Sequence, residues 1–242
     1  MKKFVSLFMT LLLVLSSFGT MASAANQSFK EKEKMVEESF NYSIKSAKGD
    51  EKEKLKTDLA KFKKLSKEDK KKFISYMFDP EVTSTIAESI SEVEPGETKA
   101  LKNGDIVLSA TYEESDVEAP ALEEGNIQPL ATTYYKKAWY KRGVSFLGLT
   151  VLEVYAQVNY THNGSKVLST YGCDAYTSRN LNPTVDYEWG RCIRNHSSSQ
   201  AWATASVKWS AIYSGLGIVY ANHEVRVWGN YKNQSGGSVT KL

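Results

Sequence analysis

Between Val151 and Tyr160 the side chains alternate. Leu152, Val154, Ala156, Val158 and Tyr160 fall on one side, and Val151, Glu153, Tyr155, Gln157 and Asn159 on the other. Successive side chains on a strand point to opposite faces, so a period of two specifies a half-buried strand and is incompatible with an amphipathic helix over the same residues. The pattern recurs. Residues 200–213 set Ala203, Ala205, Val207, Trp209 and Ala211 against Thr204, Ser206, Lys208 and Ser210. Residues 184–193 carry Val185, Tyr187 and Trp189 on one side, and 133–140, 166–173 and 218–231 bring the count to six or seven strands. Turn residues separate them, at His162-Asn163-Gly164-Ser165 and at Gly215–Gly217, and no helical stretch intervenes. Residues 132–242 are therefore expected to form an antiparallel β-sandwich or small barrel.

Ahead of that region the period changes to that of a helix. Ser28 and Glu31 have capping-box spacing, and Phe29, Val36, Phe40, Ile44 and Ala47 then share a face, with Gly49 as a stop. A second stripe runs through Leu55, Leu59 and Phe62, and a third opens at Ser66 with Phe73, Ile74 and Met77. Asp79-Pro80 caps a fourth, with Val82, Ile86, Ile90 and Val93. Narrow apolar stripes on lysine-rich helices suit either an anionic membrane surface or burial of helix against helix; the interleaved acids favour burial. Asn103-Gly104 signals a hairpin, with an outgoing strand at 105–112. Residues 113–131, rich in Glu and Asp with two prolines, then read as an acidic linker. The fold class expected is thus α+β in two parts: a charged helical region at 25–96, a hairpin and linker at 97–131, and the sandwich at 132–242.

Charge follows the same division. Residues 25–72 hold 15 Lys and 10 acids, 73–131 hold 2 Lys and 13 acids, and 132–242 hold 12 Lys or Arg and 5 acids. A basic, acidic, basic order raises the expectation of a precursor, in which 73–131 covers the last domain until cleavage near 128–133.

The chain starts with Met1, Lys2 and Lys3, a run at 4–18 without charge, and Ala22-Ser23-Ala24. That order predicts a secretory signal peptide over 1–24, too short to span a bilayer, and a secreted protein with no membrane attachment beyond it. In an oxidising compartment Cys173 and Cys192 are expected to pair. A disulfide closing a loop of this length stabilises by about 3 kcal/mol. The competing role, Cys192 as a nucleophile assisted by His196, has no family signature around it.

Catalytic signals are sparse. His162, His196 and His223 have no metal-ligand spacing, and there is no H-E-x-x-H, G-x-S-x-G or phosphate-binding glycine loop. His162 is expected in an exposed turn. His196, Asp186 and Glu188 lie close in sequence and are the one acid–base cluster that folding could assemble. No cofactor and no metal are expected. All five Trp and eleven of the fourteen Tyr follow Ala131, alongside Arg142, Arg226, Lys136, Lys137 and Lys141. Trp139, Trp189 and Trp228 with Arg179, Arg191 and Arg194 are the residues expected on a ligand surface. Such a surface suits an anionic cell-envelope polymer or a polysaccharide. Nucleic acid is a poor candidate and is not expected as a partner, because an exported protein rarely meets it and no recognition motif is present. The leading expectation is a secreted non-enzymatic binding protein; the alternatives are an antibacterial or pore-forming protein released from a pro-segment, and an extracellular hydrolase with an unrecognised site.

Overall fold

A computed structural model describes residues 27–118, 133–213 and 216–242 of the chain. The predicted signal peptide and most of the predicted acidic linker lie outside the described residues.

Four helices come first: α1 (Phe29–Ser46), α2 (Gly49–Lys64), α3 (Lys67–Phe78) and α4 (Pro80–Ser89), the last continued by a 3-10 turn at Ile90–Glu92. Their starts are local chemistry. The Ser28 hydroxyl accepts from the Glu31 amide while the Glu31 carboxylate accepts from the Ser28 amide, the reciprocal capping box. Ser66 accepts from the Asp69 amide, and Asp79 from those of Glu81 and Val82 ahead of Pro80. Gly49 does not end α1; α1 closes at Ala47, and Gly49, with φ +54°, opens α2.

The apolar stripes are buried rather than turned to a surface. Phe40 meets Phe62 at 5.8 Å between centroids, Phe62 meets Phe73 at 5.1 Å, and Phe73 meets Phe146 at 5.9 Å. Phe146 ends a sheet strand, so this chain of rings joins the helices and the β region in one hydrophobic core. Each fully buried Phe contributes about 1.5–3 kcal/mol. Among the described residues no helix is long and apolar enough to cross a membrane.

Two antiparallel five-stranded sheets follow. The first has the order β1 (Thr98–Leu101), β2 (Ile106–Asp116), β3 (Tyr134–Phe146), β4 (Leu149–His162), β5 (Val167–Asn180). The second runs β10 (Ser235–Lys241), β9 (Leu216–Asn230), β8 (Gln200–Tyr213), β6 (Val185–Trp189), with β7 (Ile193–His196) also pairing β8. They face one another, β3 and β4 against β9 and β4 and β5 against β8, which makes the β region sandwich-like. The alternation read from sequence sets the faces: Val154, Ala156, Val158 and Tyr160 point inward, as do Ala203, Ala205, Val207 and Trp209.

Besides Gly49, the structure departs from expectation in four places. Glu113–Asp116, assigned by composition to the linker, belong to β2, which pairs with β3 at eleven successive positions from Ile106↔Phe146 to Asp116↔Lys136. Lys136 explains the acids: it lies 2.8 Å from Asp116 and 3.8 Å from Glu114. Residues 184–193 are two strands, because Gly190 packs on Ser206, where a Cβ would stand 2.2 Å from the hydroxyl. The polar tail forms β10, whose Gly237 leaves room for the Tyr140 ring. His162 is not exposed: it ends β4 buried under the Tyr134 ring at 5.1 Å, and its Nδ1 accepts the Gly164 amide at 3.0 Å.

His223 is buried completely, edge-on to Trp209. Burial holds its pKa below the usual value; the Ala87 backbone opposes that shift, and Lys241 and Arg142 reinforce it. His162 is lowered by burial and by Lys136, with Asp116 opposing. Both imidazoles thus bind a proton less readily in the folded chain than in the unfolded one. Below the ordinary pKa of about 6.5 the unfolded chain binds protons that the folded chain does not, so stability is complete above that pH and falls as pH drops through it. The loss is at most about 1.4 kcal/mol per pH unit for each histidine. Glu114, whose carboxyl is raised by burial, acts in the opposite sense. Thermal melts from pH 7.5 to 5.5 are expected to show falling Tm, with a shallower slope in His223→Gln; equal slopes in the two proteins would remove His223 as the cause.

Candidate functional site

The helices do more than complete the core. An open cleft of about 1220 Å³ lies between α1 and the outer face of the first sheet. Met35, Ser39, Tyr42 and Ser43 form its helical wall, and Trp139, Tyr155 and Tyr176 its sheet wall. Trp189 of β6 lines it across the seam between the two sheets.

Parity explains the sheet wall. On β3 and β4 the even positions are buried, so Trp139 and Lys141, and Glu153 and Tyr155, point outward. Register then aligns the rings, since Tyr155 pairs with Lys141 on one side and Tyr176 on the other. Trp139 stacks near Tyr155 at 5.9 Å with 29° between planes, and Tyr155 lies 5.2 Å from Tyr176. The three rings cross three strands, a span of roughly 10 Å at about 4.8 Å per strand.

Polar groups surround this row. Lys141 Nζ is 5.9 Å from the Trp139 ring and 3.2 Å from Glu153, and Ser178 donates to Glu153 at 2.9 Å. The Tyr155 hydroxyl donates to Gln157 at 3.3 Å. Burial pushes the Tyr155 pKa up to about 12, with Tyr176, Asp174 and Glu113 adding to it, so the group stays a neutral donor and acceptor. Tyr176 is raised for the same first reason, burial.

Charge in the cleft is acidic. Glu38, Glu51, Glu153 and Asp186 line it against only Lys141 and Arg179. Arg179, expected on a ligand surface, has a side chain only 4 % exposed. Its Nε and Nη2 donate to Glu51 at 2.9 and 2.6 Å, and Nη1 donates to Asp58 at 2.7 Å and to the Thr150 carbonyl at 3.2 Å. The residue clamps α2 to the sheet and has no fork left for a ligand.

The other expected residues scatter. Trp139 and Trp189 share the cleft, whereas Trp228 sits on the outer face of the second sheet. Arg191 is exposed between β6 and β7, and Arg194 is exposed on β7 with Nε 3.4 Å from the Thr170 carbonyl. His196, Asp186 and Glu188 do not gather. His196 pairs with Ala201 and Glu188 with Lys208, seven residues along β8 and so roughly 23 Å apart. Cys192 is no nucleophile, because it is bonded to Cys173. Among the described residues no group of three His, Cys, Asp or Glu could hold a metal ion.

Sequence reading did not single out Tyr155, Tyr176 or the α1 wall. The signal for Tyr155 was present: an aromatic on the polar side of an alternating strand has no core to fill. No protein-family model, curated protein or solved structure matches the chain.

Proposed function

We propose that this is a secreted, non-enzymatic carbohydrate-binding protein that holds a glycan in the cleft between α1 and the first sheet. The observation that carries the reading is the outward row of Trp139, Tyr155 and Tyr176. A pyranose ring has an apolar face of C–H groups and a rim of hydroxyls. Aromatic rings bury such a face, and a few convergent polar groups fix the rim. Glu153, Ser178 and the tyrosine hydroxyls supply them. A span of roughly 10 Å accommodates about two sugar units.

The charge balance selects the ligand within this class. An anionic polymer would meet four carboxylates and two cations that are already paired, so the cleft favours a neutral or amino sugar. The disulfide Cys173–Cys192 and the predicted leader 1–24 support action outside the cell. The pore-forming alternative draws no support from β8, whose Ala203, Ala205 and Val207 are occupied against the first sheet.

The test is calorimetric titration with oligosaccharides of neutral glucan and of N-acetylglucosamine. Trp139→Ala is expected to weaken binding at least about tenfold, about 1.4 kcal/mol, with Tm unchanged. No heat from either sugar at millimolar concentration, or full affinity in the variant, would refute the reading.

A further inference from the structure

The opposite side of the sandwich repeats the same chemistry. On β8 and β9 the odd positions face inward, so Trp202 and Trp228 face outward, and the register sets them side by side. Gly236 of the edge strand lets the Trp228 indole lie across it; a Cβ there would stand 2.8 Å from Cζ2. The Arg226 guanidinium lies over the Trp202 ring at 5.4 Å, much as Lys141 lies near Trp139 at 5.9 Å. Arg226 makes no ion pair among the described residues, and its Nε is buried without an acceptor. Its register partners are Thr204 and Ser238, so hydroxyls flank it on both sides.

We propose that Trp202, Trp228 and Arg226 form a second carbohydrate-contact surface, so that one molecule holds two strands of polysaccharide. The inference rests on the glycan-binding reading of the cleft and extends it. Outward indoles side by side take the apolar face of a sugar, and the Arg226 guanidinium beside them is a donor to its ring or hydroxyl oxygens. The two surfaces point in opposite directions from sheets about 10 Å apart, so a single extended strand cannot lie on both. Two sites on one rigid body convert modest affinities into cross-linking of a polymer, without any new contact.

The experiment pairs stoichiometry with light scattering. With a neutral oligosaccharide, calorimetry is expected to give two sites per molecule, and with the soluble polysaccharide the protein is expected to raise scattering through cross-links. The double variant Trp202→Ala/Trp228→Ala should retain one site and lose the scattering; Trp139→Ala should do the same from the other side. Arg226→Ala, which removes no indole, serves if the double variant fails to fold; it should weaken one of two sites at least about fivefold. One site per molecule, abolished by Trp139→Ala and untouched by the other variants, would overturn the second surface and leave the cleft reading standing. Absence of binding to either sugar would overturn both.

Discussion

A fragment beginning at Thr132 is expected not to fold. Its first sheet would lack β1 and β2, and β2 pairs with β3 along its whole length. Ile106, Leu108 and Ala110 of β2 are buried, and the fragment would also lose Phe73 from the Phe146 ring. Buried Arg142 would lose the Ile90 carbonyl that accepts its Nη1. In the intact chain the burial of Ile106, Leu108 and Phe73 alone contributes roughly 5–9 kcal/mol at about 1.5–3 kcal/mol each, comparable with the whole stability of a typical domain, and the fragment forfeits it. The measurement is a proton–nitrogen correlation spectrum of residues 132–242 in oxidising buffer: collapsed dispersion is expected, and a spectrum overlaying that of the full chain would contradict the shared core. Conversely, a chain cut between 118 and 133 by an engineered protease site should stay together on gel filtration. A precursor that frees a working domain by cleavage near 128–133 is disfavoured by the same packing, because the upstream segment supplies sheet strands as well as a cover.

The second large effect is expected at Arg179. Replacing it by Met keeps the buried volume but leaves Glu51 without a counter-charge and Asp58 with only the exposed Lys61, 3.5 Å away. Removing one partner of a buried ion pair costs about 3–5 kcal/mol, and here the carboxylates keep some access to water, so about 2–3 kcal/mol is expected. For a chain of this size that is a fall in Tm of roughly 5–10 °C. Adding Glu51→Gln and Asp58→Asn to Arg179→Met should recover part of the loss, since the penalty lies in the stranded charges. An unchanged Tm in Arg179→Met would mean that the triad contributes no more than a surface pair. Since α2 follows directly on α1, weaker docking of α2 should also loosen the helical wall of the cleft and weaken the proposed glycan binding.

Local signals were the legible ones. Ser28 with Glu31 and Asp79 with Pro80 announce helix starts because the groups that satisfy the exposed amides lie within three residues. Strands β4 and β8 are visible because each has one buried face, which writes a period of two. β10 was not visible: Gly236 and Gly237 look like a loop, and the reasons for them are the Trp228 and Tyr140 rings on other strands. Burial of His162 and His223 is likewise decided by distant neighbours, Tyr134 and Trp209. Arg179 read as a free cation because its partners on α2 stand more than 120 residues away. The cleft was half legible, as Trp139 and Trp189 were singled out, but its helical wall depends on tertiary packing that no spacing encodes.

The covalent tie between Cys173 and Cys192 has a bearing on where the cleft is usable. Each cysteine stands three residues from a cleft aromatic, Tyr176 on one sheet and Trp189 on the other. The bond is a rivet beside the part of the groove to which both sheets contribute. With thiols kept reduced, Tyr176 and Trp189 would be held in line by packing and by the hydrogen bond that Trp189 Nε1 donates to Thr177, without a covalent tie. The proposed grip on a glycan thus depends on surroundings in which sulfur stays oxidised.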